Sequence, residues 1–334
     1  MTSRGGRVTS PGRPVAKTMM ALRAHARGGP ERLVYEEAPA PVPGPGEALV
    51  AVHAAAITFA ELTWDLSWTT RDGRDRTPVI PAHEVSGTVA GLADGASGVA
   101  VGDEVYGLID FDRDGAAAEF TTVPAAGLAA KPRTASHAET ATLPLAALTA
   151  WQALADYAAL EPGERVLVHG GAGGVGAFAV QLAVIFGGRV TATGRDGEAG
   201  FVRDLGAETF ISSGERPGGG TVPDGDTVPG GFDVVIDTVG GAVLDASYQL
   251  MRVGGRLVTL SAPPSAERAR EAGVHAMFFV VTPDPGELAQ LAKLVDEGRL
   301  RPVVSQAFPL RDGRLAYESA ARPRPPGKTV LLVR

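Results

Sequence analysis

The stretch Val166-Leu-Val-His-Gly-Gly-Ala-Gly-Gly-Val-Gly176 constrains this chain more than any other part of it. Arg165–His169 reads as a short apolar strand. Gly174–Phe186 reads as a helix with Val175, Phe178, Leu182 and Phe186 on one face, ended by Gly187-Gly188. Between them lies Gly171-x-Gly173-x-x-Gly176, in the strand–turn–helix setting that gives this spacing meaning. Gly171 permits a tight turn, Gly173 lets backbone N–H groups approach a pyrophosphate, and Gly176 lets the helix pack close to the sheet. The helix N-terminus favours the anion. Gly171, Ala172, Gly173, Gly174, Val175 and Gly176 are therefore read as the phosphate loop of a dinucleotide site.

This unit opens a run of alternating strands and helices. Strands are expected at Arg189–Thr193, Thr209–Ser212, Phe232–Asp237, Arg256–Leu260 and Val274–Val281. Helices are expected at Gly197–Leu205, Ala242–Met251 and Pro285–Glu297, the last with Leu288, Leu291, Ala292 and Val295 on one stripe. Such alternation with buried strands predicts a parallel sheet covered on both faces. Ala21 to Val123 reads differently, as short strands between turns: Glu47–Ala56, Val85–Ala90, Glu104–Leu108 and Glu119–Val123. Close spacing of short strands predicts an irregular, barrel-like β domain. Ser136–Leu160 has helical spacing, and Val303–Phe308 and Thr329–Val333 are late strands expected to rejoin the first domain or the sheet edge. Residues 1–18 are basic and aperiodic and read as a disordered extension, with Met19 or Met20 a candidate start. No apolar segment follows Arg4, Arg7 and Arg13, which argues against a signal peptide. Gly214–Gly231 reads as a mobile surface loop.

Composition narrows the chemistry. With 334 residues the chain suffices for two domains, and with no cysteine it has no disulfide, thiolate nucleophile or Cys-ligated metal. A net charge of −7 disfavours nucleic acid as a partner. No apolar run reaches the roughly 18 residues of a membrane-spanning helix. A cytoplasmic location without membrane attachment is expected.

The loop Gly170–Gly176 in this setting resembles the medium-chain dehydrogenase/reductase superfamily, in its zinc-free quinone oxidoreductase and enoyl reductase-like branch. The resemblance runs from about Met20 to the end, through Pro43-Gly-Pro-Gly-Glu47, Ala54–Glu61, Gly102-Asp-Glu-Val105, Leu148-Thr-Ala-Trp151, Glu161-Pro-Gly163, Gly206-Ala207, Asp237-Thr-Val-Gly240, Gly254-Gly255-Arg256, Asp296–Pro302 and Gly327-Lys328. It implies an α/β fold: a doubly wound parallel Rossmann sheet (141–302) plus a GroES-like, β-rich catalytic domain (19–140 and 303–334). It also implies reduction of quinones, enones or enoyl thioesters with a nicotinamide cofactor, and a homodimer. A narrower version is an ene-reductase in natural-product tailoring, such as polyketide assembly. Competing readings are a non-catalytic cofactor-binding or structural protein and an alcohol dehydrogenase.

Thr58 stands where the zinc-dependent branch places a cysteine, and His83-Glu84 resembles that branch's ligand segment. Threonine is no zinc ligand and a tetrahedral site needs three protein donors, so no metal is expected and His83 is read as a hydrogen-bonded histidine near the cleft. Thr58 is a candidate to bind ribose or the substrate carbonyl. Trp64 and Trp68 are candidates for the substrate wall, Asp65 for a proton donor, and Tyr106 for a cleft residue. Resemblance implies cofactor contacts from Thr149, Phe278 and Phe279; Lys328 is a candidate to approach the adenosine phosphate, with a solvated lysine as the alternative. Val239, Leu260 and Ser261 end strands on the carboxyl side, where open α/β sheets bind ligands. NADPH is expected over NADH. The place of the acidic ribose ligand falls on Thr193 or Gly194, and Arg195 follows, suited to a 2′-phosphate with help from Thr193 and Ser213.

Overall fold

The computed structural model describes residues 17–213 and 231–334. The expected N-terminal extension, apart from its last two residues, and nearly all of the loop at Gly214–Gly231 lie outside them. Fifteen strands follow in chain order. The first seven are β1 (Thr18–Ala24), β2 (Leu33–Pro39), β3 (Glu47–Ala56), β4 (Glu84–Leu92), β5 (Glu104–Leu108), β6 (Phe120–Pro124) and β7 (Ala129–Ala130). The next six are β8 (Arg165–His169), β9 (Arg189–Gly194), β10 (Thr209–Ser212), β11 (Phe232–Asp237), β12 (Met251–Thr259) and β13 (His275–Phe278). The last two are β14 (Val304–Pro309) and β15 (Lys328–Leu332).

β8 to β13 form one parallel sheet in the order β10-β9-β8-β11-β12-β13. This is a doubly wound Rossmann sheet, and its strand order reverses between β8 and β11. Val166, Leu167 and Val168 are all buried, as a central strand covered on both faces requires. The helix Gly174–Ile185 is buried without a break from Gly176 to Ala183, packed between the sheet and the helix Ala146–Gln152. Its single apolar stripe is thus corrected to burial nearly all round, which suits an Ala/Val/Leu sequence.

The other large sheet runs β14-β15-β3-β4-β5-β7, with β6 paired to β3. Val330, Leu331 and Leu332 lie antiparallel to Ala56, Ala55 and Ala54, so the last strand of the chain completes a sheet begun by the first domain. Several element bounds differ from the expected ones. Val274–Val281 yields strand only at His275–Phe278, and Ala242–Met251 breaks into a helix to Ser247, a 3-10 turn, and the start of β12 at Met251. The expected helical segment Ser136–Leu160 is three pieces, ending in a π-helical turn at Ala153–Tyr157. No helix among the described residues is long and apolar enough to cross a membrane.

Candidate active site

A cleft of about 820 Å³ opens at the carboxyl ends of β8, β9 and β11, where the sheet order reverses. The glycine loop forms one wall. Here the left-handed residue is Gly170 (φ +74°), not Gly171. Gly171 serves close approach instead: a Cβ there would lie 2.8 Å from Ala192 Cβ, and one on Gly176 would lie 2.0 Å from the Gly170 carbonyl oxygen. Gly173 caps the helix Gly174–Ile185 without any side-chain hydrogen bond, so its first N–H groups face the cleft with the positive end of the dipole. Ala172, Gly173, Gly174 and Val175 line the cleft, while Gly171 and Gly176 shape it from behind. These features fit a dinucleotide pyrophosphate.

The opposite wall comes from the β-rich domain: Ile57, Thr58, Phe59, Arg324, Pro325, Gly327 and Lys328. Lys328 is buried and donates to Thr58 Oγ1 at 3.1 Å, and its ammonium pairs with buried Glu84. Burial pushes the Glu84 carboxyl up, and Lys328 with the Leu145 and Ala146 N–H groups opposes that without cancelling it. Lys328 is therefore placed beside Thr58 and Gly174, and the alternative of a solvated lysine is excluded. Thr58 Oγ1 accepts from Lys328, and among the described residues its own hydrogen has no acceptor, so it is available to a ligand.

At the far end lie Thr193, Gly194, Arg195, Glu198 and Ser213. Arg195 is not free: its Nε donates to Glu198 Oε1 at 2.8 Å and its Nη2 to the Arg324 carbonyl at 3.1 Å. The Arg324 guanidinium lies 4.0 Å from the Phe59 ring centroid, and burial together with the Arg195 charge pulls its pKa below the ordinary arginine value. Asp196 accepts from the Ser212 hydroxyl, and Ser213 donates its hydroxyl to Gly194 O at 2.9 Å. Arg324 and Glu198 were missed from the sequence; Arg324 sits in a proline-rich run far along the chain, and Glu198 reads as an ordinary helix-start carboxylate.

Of the remaining candidates, Val239 lines the cleft beside Gly240 and Gly241. The rest are not among the lining residues. Trp68 is buried in the β-rich core, its indole N–H donating to Leu62 O at 2.9 Å. Trp64 packs edge-on against Phe111 at 5.2 Å. Asp65, 88% exposed and paired with Arg27 at 2.6 Å, lacks the burial a neutral carboxyl donor needs. Tyr106 is fully buried, and its hydroxyl donates to Leu288 O across the domain junction. Thr149 donates to Leu145 O at 2.6 Å, Phe279 stacks on Tyr157 at 4.1 Å, and Phe278 is partly exposed at the sheet edge. Leu260 packs against the core, and Ser261 donates to the Asp237 carboxylate at 3.3 Å. Apart from Phe278, each of these side chains is held by the contact named rather than by the cleft lining.

The donor set does not fit zinc. Both His83 nitrogens are engaged, Nδ1 with Glu61 at 3.0 Å and Nε2 with Arg113 O at 3.3 Å, and the chain has no cysteine. Among the described residues no group of three metal-ligating side chains is gathered. Glu61 instead centres a buried network, accepting from Thr58 N, Ala82 N and the Tyr317 hydroxyl as well as facing His83.

Comparison with known proteins agrees with this architecture. Residues 44–133 match the alcohol dehydrogenase GroES-like domain, and residues 205–331 match the zinc-binding dehydrogenase family. The chain is 34% identical over 304 residues to the spectinabilin polyketide synthase system protein NorB of Streptomyces orinoci, covering 88% of this chain but only 13% of that protein. It likewise spans only 9% and 5% of the next two polyketide synthases that it matches. A probable zinc-binding oxidoreductase, mitochondrial, of Arthroderma benhamiae is 32% identical, covering 90% of this chain and 93% of that one. The quinone oxidoreductase structure from Coxiella burnetii superposes with a TM-score of 0.84 at 29% identity, over 95% of this chain and 100% of that one. With its GroES-like domain, Rossmann sheet and glycine-loop cleft, the chain belongs to the medium-chain dehydrogenase/reductase superfamily, in its quinone oxidoreductase and enoyl reductase-like branch.

Proposed function

We propose that this enzyme reduces an electron-poor C=C bond or a quinone with NADPH and without a metal. The observation that carries the reading is the cleft itself. It places an uncapped helix N-terminus, a free Thr58 hydrogen and two arginines along one groove, with no zinc donor set at its catalytic end. Bound there, reduced nicotinamide supplies a hydride. The Thr58 hydroxyl, polarised by Lys328, donates to the substrate carbonyl or the ribose, where it favours negative charge developing on oxygen. With Asp65 at the surface and Tyr106 in the core, the proton at the α carbon comes from solvent. Arg195 and Arg324 face a 2′-phosphate, which favours NADPH; charge-assisted bonds to a guanidinium fork are the strong kind. The matches to polyketide synthases support an enoyl-type substrate, in or beside polyketide assembly.

The test is NADPH oxidation by the chelator-stripped enzyme over a panel of quinones, cyclic enones and enoyl thioesters. Turnover without metal supports the reading. Activity that appears only with added zinc, or alcohol oxidation alone, overturns it.

A further inference from the structure

His169 ends β8 directly before the glycine loop, and its ring is buried. It makes two side-chain hydrogen bonds, Nε2 with Ser247 Oγ at 3.1 Å and Nδ1 with Thr193 Oγ1 at 3.2 Å. Burial pushes the imidazole pKa down to about 4 against the opposing charge of Asp237, so the ring is neutral at pH 7 and carries one N–H.

Which nitrogen carries that hydrogen follows from Ser247. The single hydroxyl hydrogen of Ser247 is donated to the Val243 carbonyl at 2.8 Å, and a carbonyl can only accept. Ser247 Oγ therefore accepts from His169, and the hydrogen is on Nε2. Nδ1 is then a bare acceptor, so the Thr193 hydroxyl donates to it. Gly170 N–H occupies one Thr193 lone pair at 3.3 Å. Among the described residues, Thr193, which lines the cleft, has only its other lone pair left to offer.

Thr193 stands at the carboxyl end of β9, the second strand of the parallel sheet, where an adenosine ribose lies in such folds. A phosphate dianion brings only acceptors, whereas a ribose hydroxyl brings a hydrogen. We propose that His169 is a positioning residue that fixes Thr193 as a hydrogen-bond acceptor for the free 3′-hydroxyl of the adenosine ribose, leaving the 2′-phosphate to Arg195 and Arg324. This reverses the expectation that Thr193 donates to the phosphate. It deepens the NADPH reading and rests on it.

Two measurements on the full chain test it. The first is side-chain ¹⁵N NMR of the histidines at pH 7, with a His169→Asn sample identifying the signal. A neutral ring protonated on Nε2 is expected; a cationic ring or one protonated on Nδ1 overturns the relay. The second is calorimetric binding of adenosine 2′,5′-bisphosphate and its 3′-deoxy analogue. The wild type should bind the parent about five- to tenfold tighter, the worth of one hydrogen bond. Thr193→Val should bring that ratio close to one; His169→Leu, which removes what orients Thr193 but not its lone pair, should lower the ratio, and Thr193→Val with the NMR result carries the test if His169→Leu does not fold. Equal binding of both ligands by the wild type overturns the Thr193 assignment but leaves the NADPH reading standing. Absence of binding by either ligand overturns both.

Discussion

Lys328 and Glu84 form a buried ion pair beneath the glycine loop, and removing one partner should be costly. Lys328→Met leaves the Glu84 carboxyl buried without its cation, a change worth about 3–5 kcal/mol in stability. The sign of the pH dependence follows from the raised Glu84 pKa. A carboxyl held above its unfolded value stabilises fully at low pH and loses that contribution as pH rises through the folded value. Denaturant titration should therefore show a larger loss for Lys328→Met at pH 8 than at pH 5, and an equal loss at both would argue that Glu84 is not the cause. Arg195 calls for a smaller effect. Its side chain is half exposed and already shared with Glu198, so a 2′-phosphate competes with a resident carboxylate. Arg195→Ala should raise the NADPH KM about three- to tenfold, the range of a modest net hydrogen bond, with NADH kinetics nearly unchanged. Glu198→Gln should lower the NADPH KM; a rise with Glu198→Gln would mean that the carboxylate helps hold the cofactor. Arg195 was legible in the sequence because it follows the glycine loop at a fixed distance. Arg324 was not, since nothing local ties residue 324 to residue 195.

At the scale of elements, what was legible was local. The run from β8 through the glycine loop into the helix Gly174–Ile185 is one continuous segment, and the turn, the close approach and the helix start are each dictated by neighbouring residues. Gly176→Ala would set a methyl 2.0 Å from the Gly170 carbonyl oxygen, so the loop must shift. That variant should lose cofactor affinity even where circular dichroism shows a folded protein; unchanged affinity would mean the loop relaxes freely. Trp68 and Tyr106 lie outside the cleft lining for a common reason. Periodicity tells which residues are apolar or polar, but the packing of a neighbouring element decides the direction in which a side chain is buried. Trp68 faces the β-rich core rather than the cleft because its indole N–H finds Leu62 O. Tyr106 faces Leu288, 182 residues away. Trp68→Ala should consequently cost about 3–5 kcal/mol, the range for emptying an aromatic site, and leave relative substrate preference unchanged. A selective change in substrate preference with full stability would return Trp68 to the cleft wall.

For the whole molecule, the alternation of strands and helices was sufficient to read two architectures in one chain, while the site between them depends on contacts that no local pattern encodes. Thr58 and Lys328 are 270 residues apart, and Glu61 and Tyr317 are 256 apart. The first pair exists because β15, which starts at Lys328, returns to β3. The same sheet logic bears on assembly, which we propose is dimeric. The parallel sheet ends at β13, whose outer edge has no strand beside it among the described residues. Next to that edge Phe278 is 37% exposed and Val280 is 54% exposed. An open, apolar strand edge pairs with other chains unless it is covered. A second copy related by a two-fold axis would cover it with its own identical edge, joining the two sheets through β13. Light scattering should give a dimer mass at micromolar concentration. Val280→Lys, which places a charge at an already exposed position, should shift the equilibrium to monomer while leaving the thermal transition of the subunit within a few degrees. A wild-type monomer at that concentration, or a Val280→Lys dimer as tight as the wild type, would move the interface away from this edge.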